Sequence, residues 1–194
     1  MDENELVIKC QQGDMEAYEA LFGSYFSKAV RYAFLITGRS DLAEDIVQEA
    51  LIECYKDIKS LKSPEKFKSW FYRILVRTSW RVKAKEKRNV SMDELKGSEY
   101  RGLNSNLDND LDRLVETRES SRLIKDVLQK LSLPLRTTVV LHYYNDLSIK
   151  EISQVLKWFH GTVKSRLYNA RKIIHKELVK EGYVSDGKEC GTNA

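Results

Sequence analysis

Two stretches of this 194-residue chain carry residue types that could do chemistry, and in both the chemistry is the gripping of a polyanion. The first is FYRILVRTSWRVKAKEKR, residues 71–88, where Arg73, Arg77, Arg81, Lys85 and Arg88 recur at steps of four and three. At about 100° per residue these cations form one stripe of a helix beside an apolar face of Phe71, Ile74, Leu75, Thr78 and Val82. Tyr72, Val76 and Trp80 lie beyond the stripe. Guanidinium groups flanked by rings suit a single nucleic-acid strand, because the cations meet phosphates and the rings take unstacked bases. Aromatics at this spacing can equally complete a core, and both readings of Tyr72 and Trp80 stay open.

The second stretch is LSIKEISQVLKWFHGTVKSRLYNARKII, residues 147–174. Ile149, Ile152, Val155 and Leu156 make one apolar stripe and Val163, Leu167, Ala170 and Ile174 another, so the pattern predicts two short helices with a tight connection, a helix-turn-helix. Ser153 is small where a partner helix crosses closely. Thr162, Lys164, Ser165, Arg166, Asn169, Arg171 and Lys172 share the outward face of the second helix, a mixture of cations and hydrogen-bonding groups able to address base edges in a major groove as well as phosphates.

Charge follows the same division. Residues 1–60 hold 6 Lys/Arg against 12 Asp/Glu, 61–90 hold 10 against 2, 91–120 hold 4 against 8 and 121–194 hold 13 against 7, within a formal charge of +4. Basic blocks of this density recruit phosphate, whereas an acidic block suits a basic protein partner. Bond-making chemistry finds no support. His142, His160 and His175 stand with no nucleophile or ligand set, no glycine-rich phosphate loop occurs, and Cys10, Cys54 and Cys190 are scattered without metal-ligand spacing. The expectation is no catalytic residue, no metal and no cofactor, with reduced thiols and a packed Cys54. MDENELVIKC opens acidic and no run reaches the roughly 18 apolar residues of a membrane span, so the protein is expected in the cytoplasm.

The elements that must position these residues read as helices throughout, with only two prolines and no competing strand signal. Helices are predicted at about 3–12, 14–37, 40–58 and 70–88. Asp14 opens the second, whose buried face is Ala17, Leu21, Phe22, Tyr25, Phe26, Ala29, Val30, Ala33 and Phe34, and Gly38 stops it. Ser40 caps the third, where Leu42, Ile46, Val47, Ala50, Leu51 and Cys54 face inward and Asp41, Glu44, Asp45, Gln48 and Glu49 face out. Residues 90–117 are poor in periodic apolar positions and read as a linker. Helical patterning resumes near Arg118, breaks before Pro134 and continues from Leu135 to Tyr143.

At these residues the chain resembles the extracytoplasmic-function (ECF) group of bacterial RNA polymerase sigma factors. LSIKEISQVL and GTVKSRLYNAR are similar to the helix-turn-helix of region 4. GDMEAYEALFGSYF and DLAEDIVQEALIECY look like region 2, and FKSWFYRILVRTSWRVKAKEKR stands at its promoter-melting helix. With LSLPLRTTVVLHYYNDLS the match covers about four-fifths of the chain, in order. The resemblance implies an all-α chain of two small domains: region 2 over 1–90, a flexible linker over 91–117, region 4 over 118–182, and a polar tail over 183–194. It implies that Asp41, Glu44, Asp45, Gln48 and Glu49 dock on the clamp coiled coil of the polymerase's largest subunit, with the flap as a further contact. Ser60, Lys62, Lys66, Lys68, Trp70, Arg73, Arg77, Trp80 and Arg81 are then expected to hold the opened minus-ten strand. Thr162, Lys164, Ser165, Arg166, Asn169, Arg171 and Lys172 are expected to read the minus-thirty-five duplex. An anti-sigma protein, often membrane-bound, is the further partner implied. The rival readings are a stand-alone duplex-binding regulator, which needs neither the acidic helix nor the melting helix, and a module that sequesters a basic protein.

The chain departs from the group at the turn. Where such chains often carry Gly-Ile-Pro, this one has Lys157-Trp158-Phe159, which predicts a Cβ-bearing residue at positive φ, Trp158 in the core and Phe159 and His160 exposed.

Overall fold

The structure, a computed structural model, describes residues 2–93 and 118–184. Among them there is no strand. The N-terminal half comprises α1 (Glu3–Gln12), α2 (Met15–Thr37), α3 (Ser40–Asp57), 3₁₀ turns at Ile58–Ser60 and Pro64–Lys66, and α4 (Phe67–Asp93). The C-terminal half comprises α5 (Arg118–Lys130), α6 (Leu133–Val139) running into a wider π turn at Val140–Tyr144, α7 (Ile149–Leu156) and α8 (His160–Lys180). Of the expected linker only residues 91–93 are described, as the end of α4. Its remainder, the tail beyond Val184, Cys190 and the side chain of Arg88 lie outside the described residues.

Local chemistry sets the helix ends. The Asp14 carboxylate accepts from the Ala17 N–H at 3.0 Å, a cap of about 1 kcal/mol. Gly38 closes α2 at φ +77°, a left-handed conformation that disfavours any Cβ. Ser40 is not the cap of α3 but its first residue, and the position before it belongs to Arg39, whose guanidinium binds Asp41 instead. Helix α4 begins three residues earlier than its pattern suggested, because Pro64–Lys66 already turns the chain into it.

Phe22, Tyr25, Phe67 and Phe71 pack edge-to-face or stacked with centroids 5.1–6.0 Å apart, joining α2 to α4. Each such pair adds about 0.5–1.5 kcal/mol beyond the area it buries. Phe26, expected inside, is exposed, whereas Tyr32, Leu35, Ile36 and Thr37 are buried beyond the predicted stripe. The reason is tertiary: the last turns of α2 are covered on a second side by the C-terminal half.

At that junction the two small helical domains pack together, and one continuous apolar core runs through both halves. Arg136 of α6 is its polar anchor, only 6% exposed. Its Nε donates to Leu128 O at 2.7 Å, Nη1 to Ile36 O at 2.6 Å and to Gln129 Oε1 at 2.5 Å, and Nη2 to Gln129 O at 2.8 Å and Leu131 O at 3.0 Å. One side chain thus satisfies orphan carbonyls at the C-terminal ends of α2 and α5. Gln129 Nε2 also donates to Leu35 O at 3.1 Å, and its amide comes so close to Gly38 that an added Cβ there meets it at 2.9 Å. No helix among the described residues is long and apolar enough to cross a membrane.

Candidate nucleic-acid interface

Helix α3 presents Asp41, Glu44, Asp45, Gln48 and Glu49, all exposed, while Ala43, Ile46, Val47, Ala50 and Cys54 seat its other side. The hydrogen bond from Arg39 holds the Asp41 carboxyl below the usual carboxylate range. The acidic face is not isolated from the basic helix. Glu49 pairs with Arg81 at 2.7 Å and Glu53 with Arg77, so the outer edges of α3 and α4 are stitched together.

On α4, Arg73, Arg77, Arg81 and Lys85 of the predicted stripe stand on the exposed side. Their flanking rings divide. Tyr72 is buried in the core, its hydroxyl pushed up to about 12 by burial and accepting from Asn145 Nδ2 at 2.9 Å, so it is not a platform for bases. Trp80 is half-buried and donates from Nε1 to Thr137 Oγ1 at 3.0 Å. Arg73 donates to Gln154 O of α7 at 3.0 Å and Lys68 to Asp146 O at 3.1 Å. Three of the residues expected on the minus-ten strand, Lys68, Arg73 and Trp80, therefore face the C-terminal half. Trp70 is half-buried beside Phe67, and Ser60, Lys62 and Lys66 are exposed along the 58–66 connection.

The helix-turn-helix forms as its two stripes predict. Ser148 caps α7 in a reciprocal pair with Glu151, each side chain binding the other's backbone N–H. At the turn Lys157 takes φ +54°, the left-handed position expected for a Cβ-bearing residue in place of glycine. Asx residues aside, an L side chain there costs about 1–2 kcal/mol. Ser153 offsets this by clamping the next residue: the Trp158 N–H donates to Ser153 O at 3.1 Å, and Ser153 Oγ donates to Trp158 O at 2.5 Å.

Val163, Leu167 and Ala170 anchor α8, leaving Lys164, Ser165, Asn169, Arg171 and Lys172 exposed. Thr162 is half-buried, and its carbonyl accepts from Ser165 Oγ at 3.0 Å. Arg166 is half-buried too. Its guanidinium lies over the Trp158 ring, 3.8 Å from the centroid. Arg171 donates from Nε to Tyr143 Oη at 2.6 Å, and the Lys172 ammonium sits 4.8 Å above the Tyr168 ring. Tyr143 and Tyr168 were absent from the sequence-predicted set. Tyr168 had a signal, standing four residues from both Lys164 and Lys172, but nothing local ties Tyr143 to Arg171, 28 positions away. His142 is a packed residue whose Nδ1 lies 2.9 Å from Leu147 O. Among the described residues no group of His, Cys, Asp or Glu is placed to hold a metal.

Family models match both halves: Sigma-70 region 2 over residues 21–89, and Sigma-70, region 4 over residues 121–174. The chain is 32% identical over 176 residues to the ECF RNA polymerase sigma factor SigW of Bacillus subtilis, covering 89% of this chain and 94% of that relative. It is 28% identical over 182 residues to the ECF RNA polymerase sigma-E factor of Haemophilus influenzae, covering 89% and 93%. Among solved structures, CnrH in complex with the cytosolic domain of CnrY superposes with a TM-score of 0.68 at 18% identity, over 92% of this chain and 98% of that one. The sigma factor RpoE in complex with the anti-sigma factor NepR from Bartonella quintana gives 0.66 at 21% identity, over 83% and 98%. At these identities the structural likeness speaks for the fold.

Proposed function

The chain belongs to the ECF sigma factors of RNA polymerase, and from that premise we propose how its surfaces divide the work of promoter-directed transcription initiation. Core polymerase supplies the chemistry, and this chain supplies promoter choice from the cytoplasm without an active site of its own. Residues 1–90 act as region 2 and 118–182 as region 4, with 91–117 between them and a tail over 183–194. Asp41, Glu44, Asp45, Gln48 and Glu49 dock on the basic partner, the clamp coiled coil, where charge complementarity steers and orients the encounter. The 58–66 connection and α4 hold the opened minus-ten strand, and α8 reads the minus-thirty-five duplex. An anti-sigma protein is the natural regulator of such a chain, as the named partners of the CnrH and RpoE complexes suggest.

The observation that carries this reading is the segregation of exposed charge: five acidic or amide side chains on the outer face of α3, and Lys164, Arg171 and Lys172 on the outer face of α8. The packed junction adds a requirement. With Lys68, Arg73 and Trp80 engaged by the C-terminal half, the two halves separate before the minus-ten strand is held, and polymerase supplies the binding energy that separates them. Purified chain added to sigma-free core polymerase should yield promoter-dependent run-off transcripts from fragmented genomic template. Tight duplex binding by the chain alone, with no promoter-dependent transcript, overturns the reading in favour of a stand-alone regulator. Reversing charge at Asp45 and Glu49 should abolish holoenzyme formation, and intact holoenzyme in that variant removes the docking face from the proposal.

A further inference from the structure

Trp158 is near two groups with separate parts in promoter reading. Its ring centroid is 6.3 Å from that of Trp80, the two planes tilted by 43°, and the Arg166 guanidinium carbon lies over the ring 3.8 Å from the centroid. The Trp158 backbone is clamped at both ends by Ser153, and the left-handed Lys157 fixes the direction from which it enters. Arg166 reaches it because side chains on a helix lean toward the N-terminus, and two turns of α8 separate the residue from Phe159.

A guanidinium carbon 3.8 Å above an indole centroid keeps its full charge while losing rotational freedom, and such a group turned parallel to the ring would present its N–H edges outward along the ring plane. That presentation is what bidentate recognition of guanine O6 and N7 requires. We infer that Trp158 is a positioning residue for promoter reading: it holds the Arg166 guanidinium edge-on for one guanine of the minus-thirty-five duplex. The inference rests on α8 being the duplex-reading helix. Trp80 is the removable flank of the stack, since it belongs to the other half, whereas Trp158 and Arg166 sit on one helical hairpin and stay together when the halves part.

The test uses holoenzyme reconstituted from core polymerase and the full chain, offered duplex templates randomised across the minus-thirty-five hexamer, with sequencing of the templates transcribed. Trp158→Ile keeps an apolar side chain at the turn and removes the ring, so the hairpin has a compatible core. It should lower the preference for guanine at one position by about threefold to tenfold while leaving preferences elsewhere unchanged. Trp158→Phe keeps a ring under the guanidinium and should retain most of the discrimination. Arg166→Lys keeps the charge without the planar fork and should lose it, and adding Trp158→Ile to Arg166→Lys should cost nothing more. Unchanged guanine preference in Trp158→Ile, an equal loss in Trp158→Phe, or losses that multiply in the double variant each overturn the inference. Should Lys164→Ala or Asn169→Ala shift the hexamer preference when neither Arg166→Lys nor Trp158→Ile does, the stack has no role and α8 remains the reader. A hexamer preference untouched by all four variants overturns α8 as reader together with the stack.

Discussion

Helices α4 and α8 both present cations, yet they hold them differently. On α4, Arg77 and Arg81 are neutralised by Glu53 and Glu49, and Arg73 is taken up by a backbone carbonyl of α7. On α8 rings hold the two arginines: Trp158 lies under Arg166 and Tyr143 beside Arg171. A carboxylate cancels the charge it orients, whereas a ring orients it and leaves the positive field intact for a phosphate. Helix α8 is therefore charged and ready in this conformation, while α4 is quiescent until something competes for its partners.

The largest effect expected from this difference is on α8. Replacing Lys164 and Lys172 together by alanine should flatten the log-log salt dependence of holoenzyme binding to minus-thirty-five duplex by about 1.8, since each phosphate contact contributes about 0.9. At 0.1 M salt that corresponds to roughly fiftyfold weaker binding by the same relation. Filter binding across a salt series measures it, and an unchanged slope places these lysines away from the backbone.

Next in size is the junction that keeps α4 quiescent. Tyr72→Phe leaves the ring in its core and removes the hydroxyl that accepts from Asn145. A buried amide stripped of its partner costs about 1–2 kcal/mol, which moves the ratio of closed to open chain by about fivefold to thirtyfold. Fluorophores at exposed Glu19 and Lys150 should move apart, and the free chain should bind single-stranded DNA more tightly. If the variant leaves both the dye separation and strand affinity unchanged, the junction does not govern access to α4.

How much of this was legible in the sequence depends on range. Helical spacing located the exposed face of α3, the stripe on α4 and the outer residues of α8, because each is a property of one helix. The unusual turn at Lys157 was also readable, since a Cβ where glycine is usual announces a positive φ. The pairing of Tyr72 with Asn145, 73 positions apart, was not, and neither was the set of carbonyls around Arg136. Those contacts exist only once the halves pack, and the same packing explains why α2 is buried well beyond its predicted face while Phe26 is left outside. Periodicity says which residues share a side; it does not say how many neighbours arrive.

A smaller effect is expected from releasing a single arginine. Glu53→Gln keeps the shape of the pair with Arg77 but removes its charge, and exposed pairs of this kind contribute at most about 1 kcal/mol. In the opened chain, represented by the Tyr72→Phe background, strand affinity should rise by about twofold to fivefold and the salt slope steepen by about 0.7. No change in slope means that Arg77 does not reach the phosphates even when freed.

The smallest effect concerns the far end of α8, where the pattern of holders reverses and a carboxylate again does the holding. Glu177 accepts from Lys130 of α5 at 2.7 Å and from Lys180 at 2.6 Å, and these hydrogen bonds hold its carboxyl down to about 2. A carboxyl lowered by folding binds its proton more weakly in the native chain than in the unfolded one. Its contribution is therefore complete above the ordinary glutamate value near 4.5 and is lost as pH falls from there through about 2. Many other carboxylates titrate in the same window, so the useful quantity is the difference in urea midpoint between the unchanged chain and Glu177→Gln. That difference should be widest at pH 6, narrow below 4.5 and close toward 2. A gap independent of pH means that Glu177 stabilises α8 by its shape rather than its charge, and then the ring-held and carboxylate-held ends of this helix differ in geometry alone.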